Sequence, residues 1–328
     1  MARKSLARFL NRTLFLTTVI IFCGLLTACG GAADFEKPYD SSKINADELY
    51  TDGGLKAEPF AAALCVPDFD GDMDAEGVDA DGFLLFSTDT GEVISAHNIY
   101  ERMYPASTTK IMTCLLALKY GNLEDMVTVP EEAAITESGS SMSGLAPGDR
   151  IKMKDLLYAL MVPSGNDAAE AVASHISGSR DAFVELMNEE AYSLGATHTH
   201  FMNPHGLPDE EHYTTPYDLY LIMNEALKYE EFKEIASTAS YTAVFTDAEG
   251  KDKTKTWETG NGFMSGRFSL PSGMEITAAK TGHTNAAGFC LVMAENSGSG
   301  NYISVTMKAH SYDSLYNGTA ALVQKINK

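Results

Sequence analysis

One short segment pairs a hydroxyl with an amine at a spacing that suits nucleophilic catalysis. Ser107 and Lys110 follow Pro105 and precede a long apolar run, which predicts a buried helix that starts near Ser107. On a helix, residues three apart lie on one face. A serine hydroxyl needs a base to become a good nucleophile, and we expect the helix dipole to lower the pKa of Lys110 so that it can serve. A chance pair on a helix surface is the alternative.

A second segment could add a proton relay. Ser164 and Asn166 follow Pro163, where a helix must break, and a new helix-like run starts at Asp167. A hydroxyl and an amide exposed at such a junction could pass a proton and hold a substrate amide. Both residue types are also common helix caps, so capping is the alternative.

A third segment could bind an anionic group. Lys280, Thr281 and Gly282 end a strand-like run, where an amine and a hydroxyl would lie together at a sheet edge. Gly282 would let a substrate backbone approach closely. An ordinary hairpin with a surface lysine is the alternative.

The elements that must position these groups are strands near both ends of the folded part and helices between them. Strand-like runs with turn signals between them predict strands over 83–86, 93–94, 241–245, 254–259, 275–281, 288–294 and 302–308. Three-to-four spacing and start signals predict helices from Ser107, over 156–161 and 183–187, from Thr215 and over 311–328. The pattern predicts an α+β fold, one composite domain in which an antiparallel sheet with terminal helices is interrupted by an inserted helical subdomain.

Together, the three segments stand in the order of the serine penicillin-recognising signature. From about Gly82 to its C-terminus the chain resembles the D-alanyl-D-alanine carboxypeptidases of the low-molecular-mass penicillin-binding protein group. The segments that carry this resemblance are Tyr104–Thr113, Leu160–Ala168, Asn203–Leu207 and Lys280–Thr284. The resemblance implies a β-lactamase/DD-peptidase-like fold and a catalytic domain over 82–328.

The resemblance also implies a role in peptide hydrolysis for four side chains. Ser107 would attack the carbonyl between the two terminal D-alanines of a peptidoglycan stem peptide, which releases D-alanine and leaves an acyl-enzyme. Lys110 would be the base for acylation and would assist water in deacylation. Ser164 and Lys280 would relay a proton to the leaving nitrogen. β-Lactam antibiotics would be covalent inhibitors at the same serine.

Substrate contacts follow from the same resemblance. Asn166 would bind the amide carbonyl of the substrate, and Thr281 with Lys280 would receive its terminal carboxylate. The oxyanion hole would consist of the backbone N–H groups of Ser107 and His283, so the side chain of His283 need not take part.

Two other functions remain open at this point. A DD-endopeptidase that cuts cross-links would use the same residues, and a non-catalytic β-lactam-sensing or wall-binding lipoprotein could retain the fold. Gly165 stands where class A β-lactamases usually carry Asp, and no clear counterpart of their deacylating Glu region follows Asn166. Both departures argue against efficient antibiotic hydrolysis.

The N-terminal segment predicts export and anchoring in the cell envelope. A basic start, an apolar run over 13–26 and small residues predict a lipoprotein signal peptide over 1–28. Leu26–Cys29 resembles the bacterial lipobox, in which Cys29 carries the lipid that anchors the protein to the membrane outside the cytoplasm. The acidic, weakly periodic stretch over 29–81 predicts a flexible tether.

Composition limits the remaining classes of partner. The formal charge of the 328 residues is −21, which would repel a phosphate backbone and argues against nucleic acid binding. No cluster of His, Cys, Asp and Glu has metal-ligand spacing, so we expect no metal and no cofactor. His205 is expected to be structural, and Cys114 and Cys290 are expected to be buried thiols. A disulfide that involves Cys65 is the alternative for the thiols.

Overall fold

Two antiparallel sheets organise the part of the chain that the computed structural model describes, residues 73–137 and 139–327. In chain order the strands are β1 (Ala80–Ser87), β2 (Val93–His97), β3 (Met126–Thr128), β4 (Arg150–Lys152), β5 (Ser240–Thr246), β6 (Asp252–Glu258), β7 (Glu275–Thr284), β8 (Gly288–Asn296) and β9 (Asn301–Ala309). Five of them form the larger sheet in the order β2-β1-β9-β8-β7. The predicted terminal strands are confirmed, and β7, which carries Lys280, lies at the sheet edge.

A second, smaller sheet accompanies the predicted one. The order of the smaller sheet is β3-β4-β5-β6, so the β5–β6 hairpin does not join the strands around it in sequence. β4 reaches β5 through one pair, Arg150 with Thr246. β3 and β4 have three residues each, too few to show an alternating pattern in the sequence.

Helices cover both faces of the larger sheet. In chain order they are α1 (Lys110–Tyr120), α2 (Met153–Met161), α3 (Asn166–Ser177), α4 (Arg180–Ser193), α5 (Pro216–Ala226), α6 (Glu230–Ala236) and α7 (Tyr312–Val323). α5 begins as its sequence predicts, because the side chain of Thr215 accepts a hydrogen bond from Asp218 N and Pro216 occupies the first turn. The predicted α+β class, with terminal helices and an inserted helical part, is confirmed.

Alternate side chains of β1 show how the sheet separates two cores. Phe83 and Leu85 belong to the smaller core, which includes Tyr316 of α7. Leu84 and Phe86 belong to the larger core, where the rings of Phe86 and Tyr220 are 4.4 Å apart. The larger core also holds most of α1 and the inserted helices, so sheet and insertion share one apolar interior.

The folded part begins before Gly82, so the predicted end of the tether is placed too late. Met73 exchanges two backbone hydrogen bonds with Ala96, and Lys325 forms an ion pair with Asp74 at 2.7 Å. Short polar segments of this kind have no period that a sequence reading could detect. The signal peptide, Cys29 and the tether up to residue 72 lie outside the described residues.

Two further findings concern the thiols and membrane spans. Cys114 and Cys290 are buried and free, as predicted. Within the described ranges, no helix has the length and hydropathy needed to cross a bilayer.

Candidate active site

A short strained turn carries Ser107. Residues Ala106–Thr109 form a 3₁₀-helix that leads directly into α1, whose first residue is Lys110. Ala106 has a φ of 48°, in the left-handed region that a non-glycine residue enters only when its surroundings hold it there. The turn therefore fixes the direction in which the Ser107 hydroxyl leaves the backbone.

The amine of Lys110 is buried among three oxygen atoms. Its Nζ lies 2.9 Å from Ser107 Oγ, 2.7 Å from Asn166 Oδ1 and 2.7 Å from the backbone oxygen of His205. The lysine side chain is 0% exposed. The amide and carbonyl oxygens can only accept, so they take two N–H groups of the amine, and its third tetrahedral position faces the serine.

Burial favours the neutral form of this amine. The pKa of Lys110 lies well below its ordinary value, chiefly because burial removes water from the ammonium group, with a further contribution from the charge of Lys280 and an opposing one from Asp167. Burial, and not the helix dipole that we expected, is the main cause. In its neutral form the amine turns a lone pair toward Ser107 Oγ, which is the arrangement of a general base with its nucleophile.

A second amine and hydroxyl form a separate pair. Lys280 Nζ donates to Ser164 Oγ at 3.0 Å and to the backbone oxygen of Thr281 at 2.8 Å. Lys280 is 2% exposed, and burial lowers its pKa to about 7. Ser164 lies between α2 and α3 with a φ of 63°, another left-handed non-glycine residue. An amine that titrates near neutrality can both donate and accept a proton.

Asp167 holds the loop opposite Lys110, a role that sequence reasoning missed. Its carboxylate accepts hydrogen bonds from the backbone N–H groups of Ser143, Gly144 and Leu145 and from the Ser143 hydroxyl, at 2.8 to 3.0 Å. The neighbouring Asn166 N donates to Ser141 O. The carboxylate therefore fixes the loop against the start of α3, where Asn166 is anchored. In the sequence, an acidic residue in the first turn of a helix indicates only ordinary helix capping, so it does not reveal that Asp167 anchors this loop.

Gly282 has a packing role besides the substrate approach predicted for it. A Cβ atom there would lie 2.9 Å from Pro105 O and 3.0 Å from Ser107 N. The absence of a side chain thus lets β7 pack against the turn that carries the nucleophile, in addition to any substrate. Gly206 approaches the same turn from the other side, because its Cβ would lie 1.8 Å from Ala106 O.

An open groove of about 400 Å³ gives access to Ser107. Its walls are 139–141, Asn166, 205–208 and 283–286. Thr281 is half-buried and does not line this cavity, whereas the exposed ring of His283 stacks on Phe289 with ring centres 4.1 Å apart. His205 has the structural setting expected of it, since it is 5% exposed and its Nε2 lies 3.1 Å from Glu170.

The site thus brings together Ser107, Lys110, Ser164, Asn166 and Lys280, each from a different turn or element. Gly282 and His283 lie beside them on β7. The backbone oxygen of His205 also belongs to the candidate active site. It could not be predicted from the sequence, because every residue carries such an oxygen. Among the described residues, no group of three or more His, Cys, Asp or Glu side chains is placed to hold a metal ion.

Known proteins share this pattern of sequence and fold. A model of the family described as D-alanyl-D-alanine carboxypeptidase matches residues 71–311. D-alanyl-D-alanine carboxypeptidase DacF of Bacillus subtilis is 37% identical over 238 residues, which are 70% of this chain and 58% of that protein. DacC of Escherichia coli is 33% identical over 246 residues, which are 72% of this chain and 58% of that protein. The chain therefore spans 58% of the length of these two relatives.

A solved structure shows the same fold. The crystal structure of the Streptomyces K15 DD-transpeptidase has a TM-score of 0.69 and 30% sequence identity, and the match covers 76% of this chain and 96% of that one. The D-alanyl-D-alanine carboxypeptidase of Streptomyces sp. strain K15 is 33% identical over 279 residues, 82% of this chain and 90% of that protein.

Proposed function

This chain belongs to the D-alanyl-D-alanine carboxypeptidase family, and we propose that it removes the terminal D-alanine from peptidoglycan stem pentapeptides through an acyl-enzyme on Ser107. The observation that carries the proposal is the buried amine of Lys110, 2.9 Å from Ser107 Oγ and with a lowered pKa. A hydroxyl beside a neutral buried amine, at the floor of an open groove, is the arrangement that acyl transfer needs.

Acylation begins when the neutral amine of Lys110 takes the hydroxyl proton of Ser107. The serine oxygen bonds to the carbonyl carbon between the two D-alanines, and the carbonyl π electrons move onto its oxygen. The backbone N–H groups of Ser107 and His283 stabilise this oxyanion. Asn166 Oδ1 is engaged by Lys110, so the substrate amide carbonyl binds at Asn166 Nδ2.

The leaving group departs after it gains a proton. Lys280 in its ammonium form passes a proton through the Ser164 hydroxyl, 3.0 Å away, to the amide nitrogen. The C–N bond breaks, D-alanine leaves with a neutral amine and the stem tetrapeptide stays on Ser107 as an ester. In this proposal the positive charge of Lys280 and the Thr281 hydroxyl attract the terminal carboxylate of the substrate, so a peptide with a free C-terminus should be preferred.

Water completes the reaction. Lys110 first loses to solvent the proton that it took from Ser107, and Lys280 regains one from solvent. Water then attacks the ester carbon while the neutral amine of Lys110 removes one of its protons. That proton passes to the Ser107 oxygen as the C–O bond breaks, which releases the tetrapeptide with a free carboxyl group. A β-lactam enters the same path, but its leaving nitrogen remains tethered to the acyl group and hinders water. We therefore propose that β-lactams acylate Ser107 and stay bound.

A purified protein given three substrates tests the proposed activity. With a stem pentapeptide, we expect release of free D-alanine; failure to release it would contradict the proposal. Scission of a cross-linked dimer would instead support a DD-endopeptidase. The likeness to a chain called a DD-transpeptidase motivates a third arm, in which an added amine acceptor would form a new peptide bond in place of hydrolysis.

The pH dependence should have an alkaline limb set by Lys280. Because burial lowers the pKa of Lys280 to about 7, its ammonium form disappears as pH rises above neutrality. We expect kcat/KM for the pentapeptide to fall about tenfold per pH unit above this pKa, since the free enzyme loses the proton donor and the carboxylate partner together. Lys280→Arg keeps its charge at all these pH values, so in that variant the limb should disappear even if the maximal rate is lower. A wild-type profile that stays level between pH 7 and pH 9 would contradict this assignment.

We also propose that the protein acts in the cell envelope, with residues 1–28 removed and Cys29 lipidated. The Leu26–Cys29 sequence and the basic and apolar segments before it support this proposal. Two acyl chains and the 29–72 stretch would hold the catalytic domain at the membrane surface. Mass spectrometry of the protein from a bacterial host should find a diacylglyceryl group on an N-terminal Cys29. An unmodified Cys29 or cleavage at another position would contradict the proposed lipid anchor.

A further inference from the structure

A buried histidine lies behind the nucleophile turn, outside the groove. His212 is 1% exposed, and its ring contacts Phe201 edge-on with ring centres 5.7 Å apart. Its Nδ1 is 3.2 Å from Met202 N, and its Nε2 is 2.9 Å from Thr109 Oγ1. Burial lowers the pKa of His212 to about 3, so the ring is neutral at the pH values at which the enzyme would act.

The partners of the ring define where its one proton lies. Met202 N is a donor, so Nδ1 must accept and the proton is on Nε2. Nε2 then donates to Thr109 Oγ1. The hydroxyl of Thr109 in turn donates to Ala106 O at 2.8 Å, since a carbonyl oxygen can only accept. The result is a directed chain of hydrogen bonds that runs from Met202 through His212 and Thr109 to Ala106.

The hydrogen-bond chain ends at the Ala106 oxygen, and peptide planarity links this oxygen to the proposed oxyanion site. The Ala106 carbonyl and the Ser107 N–H belong to one rigid trans peptide unit and point in opposite directions. Holding the Ala106 oxygen therefore aims the Ser107 N–H, the proposed oxyanion donor. The backbone N–H of Lys110 does not share this task, because it bonds to Ser107 O and Thr108 O.

The strain at the turn makes such a hold necessary. Ala106 keeps a φ of 48°, a left-handed conformation that is unfavourable for a non-glycine residue and persists only where contacts enforce it. The backbone of Gly206 lies so close to the Ala106 oxygen that a side chain there would clash with it, and the Thr109 hydroxyl donates a hydrogen bond to the same oxygen. Loss of that bond would let the peptide unit rotate toward a less strained conformation.

We propose that His212 is a positioning residue for the reaction, which acts through Thr109 to hold the Ala106–Ser107 peptide unit so that the Ser107 N–H points into the oxyanion site. This inference rests on the proposed function, because it assumes acyl transfer at Ser107. It assigns His212 no contact with substrate and no proton transfer. The chain's role is to fix an orientation before the substrate arrives.

The inference is tested with paired variants that separate the hydrogen bonds from packing. Thr109→Val removes the hydroxyl, and Thr109→Ser keeps it. His212→Leu removes both ring nitrogens, whereas in His212→Gln the carboxamide can accept from Met202 N and donate to Thr109. Thr319→Val is the matched control, because Thr319 is a buried threonine in α7 whose hydroxyl bonds to Thr306, 3.0 Å away. Each protein is measured for thermal unfolding, for penicillin acylation and for kcat and KM with a D-alanyl-D-alanine peptide.

We expect Thr109→Val and His212→Leu to lower kcat and the acylation rate about 10- to 100-fold with KM little changed, because the oxyanion bond forms only in the transition state. Thr109→Ser and His212→Gln should restore most of the rate. Thr319→Val should lose a similar amount of thermal stability to Thr109→Val and keep the wild-type kcat. The double variant Thr109→Val/His212→Leu should be no slower than Thr109→Val alone, since both changes break one chain.

Wild-type kcat in folded Thr109→Val or His212→Leu would overturn the inference, as would a loss in Thr319→Val that matches theirs. If His212→Leu does not fold, the comparison of Thr109→Val with Thr109→Ser decides the question. Failure of the proposed function is a separate result, because then the wild-type protein itself would neither hydrolyse the peptide nor react with penicillin.

Discussion

Ser107→Ala should abolish both D-alanine release and covalent labelling by a penicillin, because Ser107 Oγ is the atom that forms the ester. The loss should reach the detection limit of the assay, several orders of magnitude below wild type. The methyl side chain fits where the hydroxymethyl group stood, so thermal unfolding should change little. Labelling with a fluorescent penicillin, followed by separation of the denatured protein, measures the effect directly.

Ser164→Ala is the matched control for this prediction, because Ser164 is the other hydroxyl bonded to a buried lysine. We expect this variant to be labelled more slowly, since it lacks the relay, but still at Ser107. The reverse pattern, with labelling kept in Ser107→Ala and lost in Ser164→Ala, would exchange the two roles. Unchanged labelling in both variants would show that neither serine is the nucleophile.

Lys110→Met should slow acylation by about two to four orders of magnitude, because it removes the base and keeps a side chain of similar length in the buried space. Met cannot donate to Asn166 Oδ1 or to His205 O, so some stability is lost at those two oxygens. Removing a buried amine, whose charge burial opposes, offsets part of that loss. Stopped-flow acylation by a chromogenic β-lactam, with thermal unfolding in parallel, measures both quantities.

Lys325→Met provides the control for loss of a buried lysine. Lys325 is 6% exposed and forms its ion pair with Asp74 at 2.7 Å, in the segment that follows α7. Its replacement should lower stability and leave acylation unchanged. If Lys110→Met acylates at the wild-type rate, Lys110 is not the base, and a deficit in Lys325→Met as large as that of Lys110→Met would show that general destabilisation explains the loss.

The larger sheet was predictable from sequence because its strands have clear periods. β7, β8 and β9 follow one another as hairpins, and each carries alternating side chains that face two different cores. α5 was predictable from the Thr215 cap and the proline after it. These signals are local, so a sequence reading reaches them.

The smaller sheet was not predictable for a physical reason. β5 and β6 have an ordinary hairpin pattern, but their own sequence does not indicate which sheet they join. The hairpin joins the smaller sheet because β5 pairs with β4, which in turn pairs with β3. β3 and β4 are three residues long and lie about a hundred residues earlier in the chain. Pairing between such distant and short segments depends on the packed interior and leaves no local trace.

The side chains of the site were predictable, but their environment was not. Residue type and spacing identify Ser107, Lys110, Ser164 and Lys280, and the fold brings them into two amine–hydroxyl pairs. The sequence does not reveal the main cause of the lowered pKa of Lys110, because burial is a property of the whole fold. Backbone groups such as His205 O carry no signal in a sequence.

Mapping the acylated residue decides whether Ser107 is the nucleophile. The protein is mixed with benzylpenicillin, quenched in acid and digested, and the peptides are sequenced by mass spectrometry. We expect one adduct with the mass of the intact antibiotic on Ser107, and its absence from Ser107→Ala. An adduct on Ser164 or on any other residue, or D-alanine release by a protein that forms no acyl-enzyme, would contradict the assignment of Ser107 as the nucleophile.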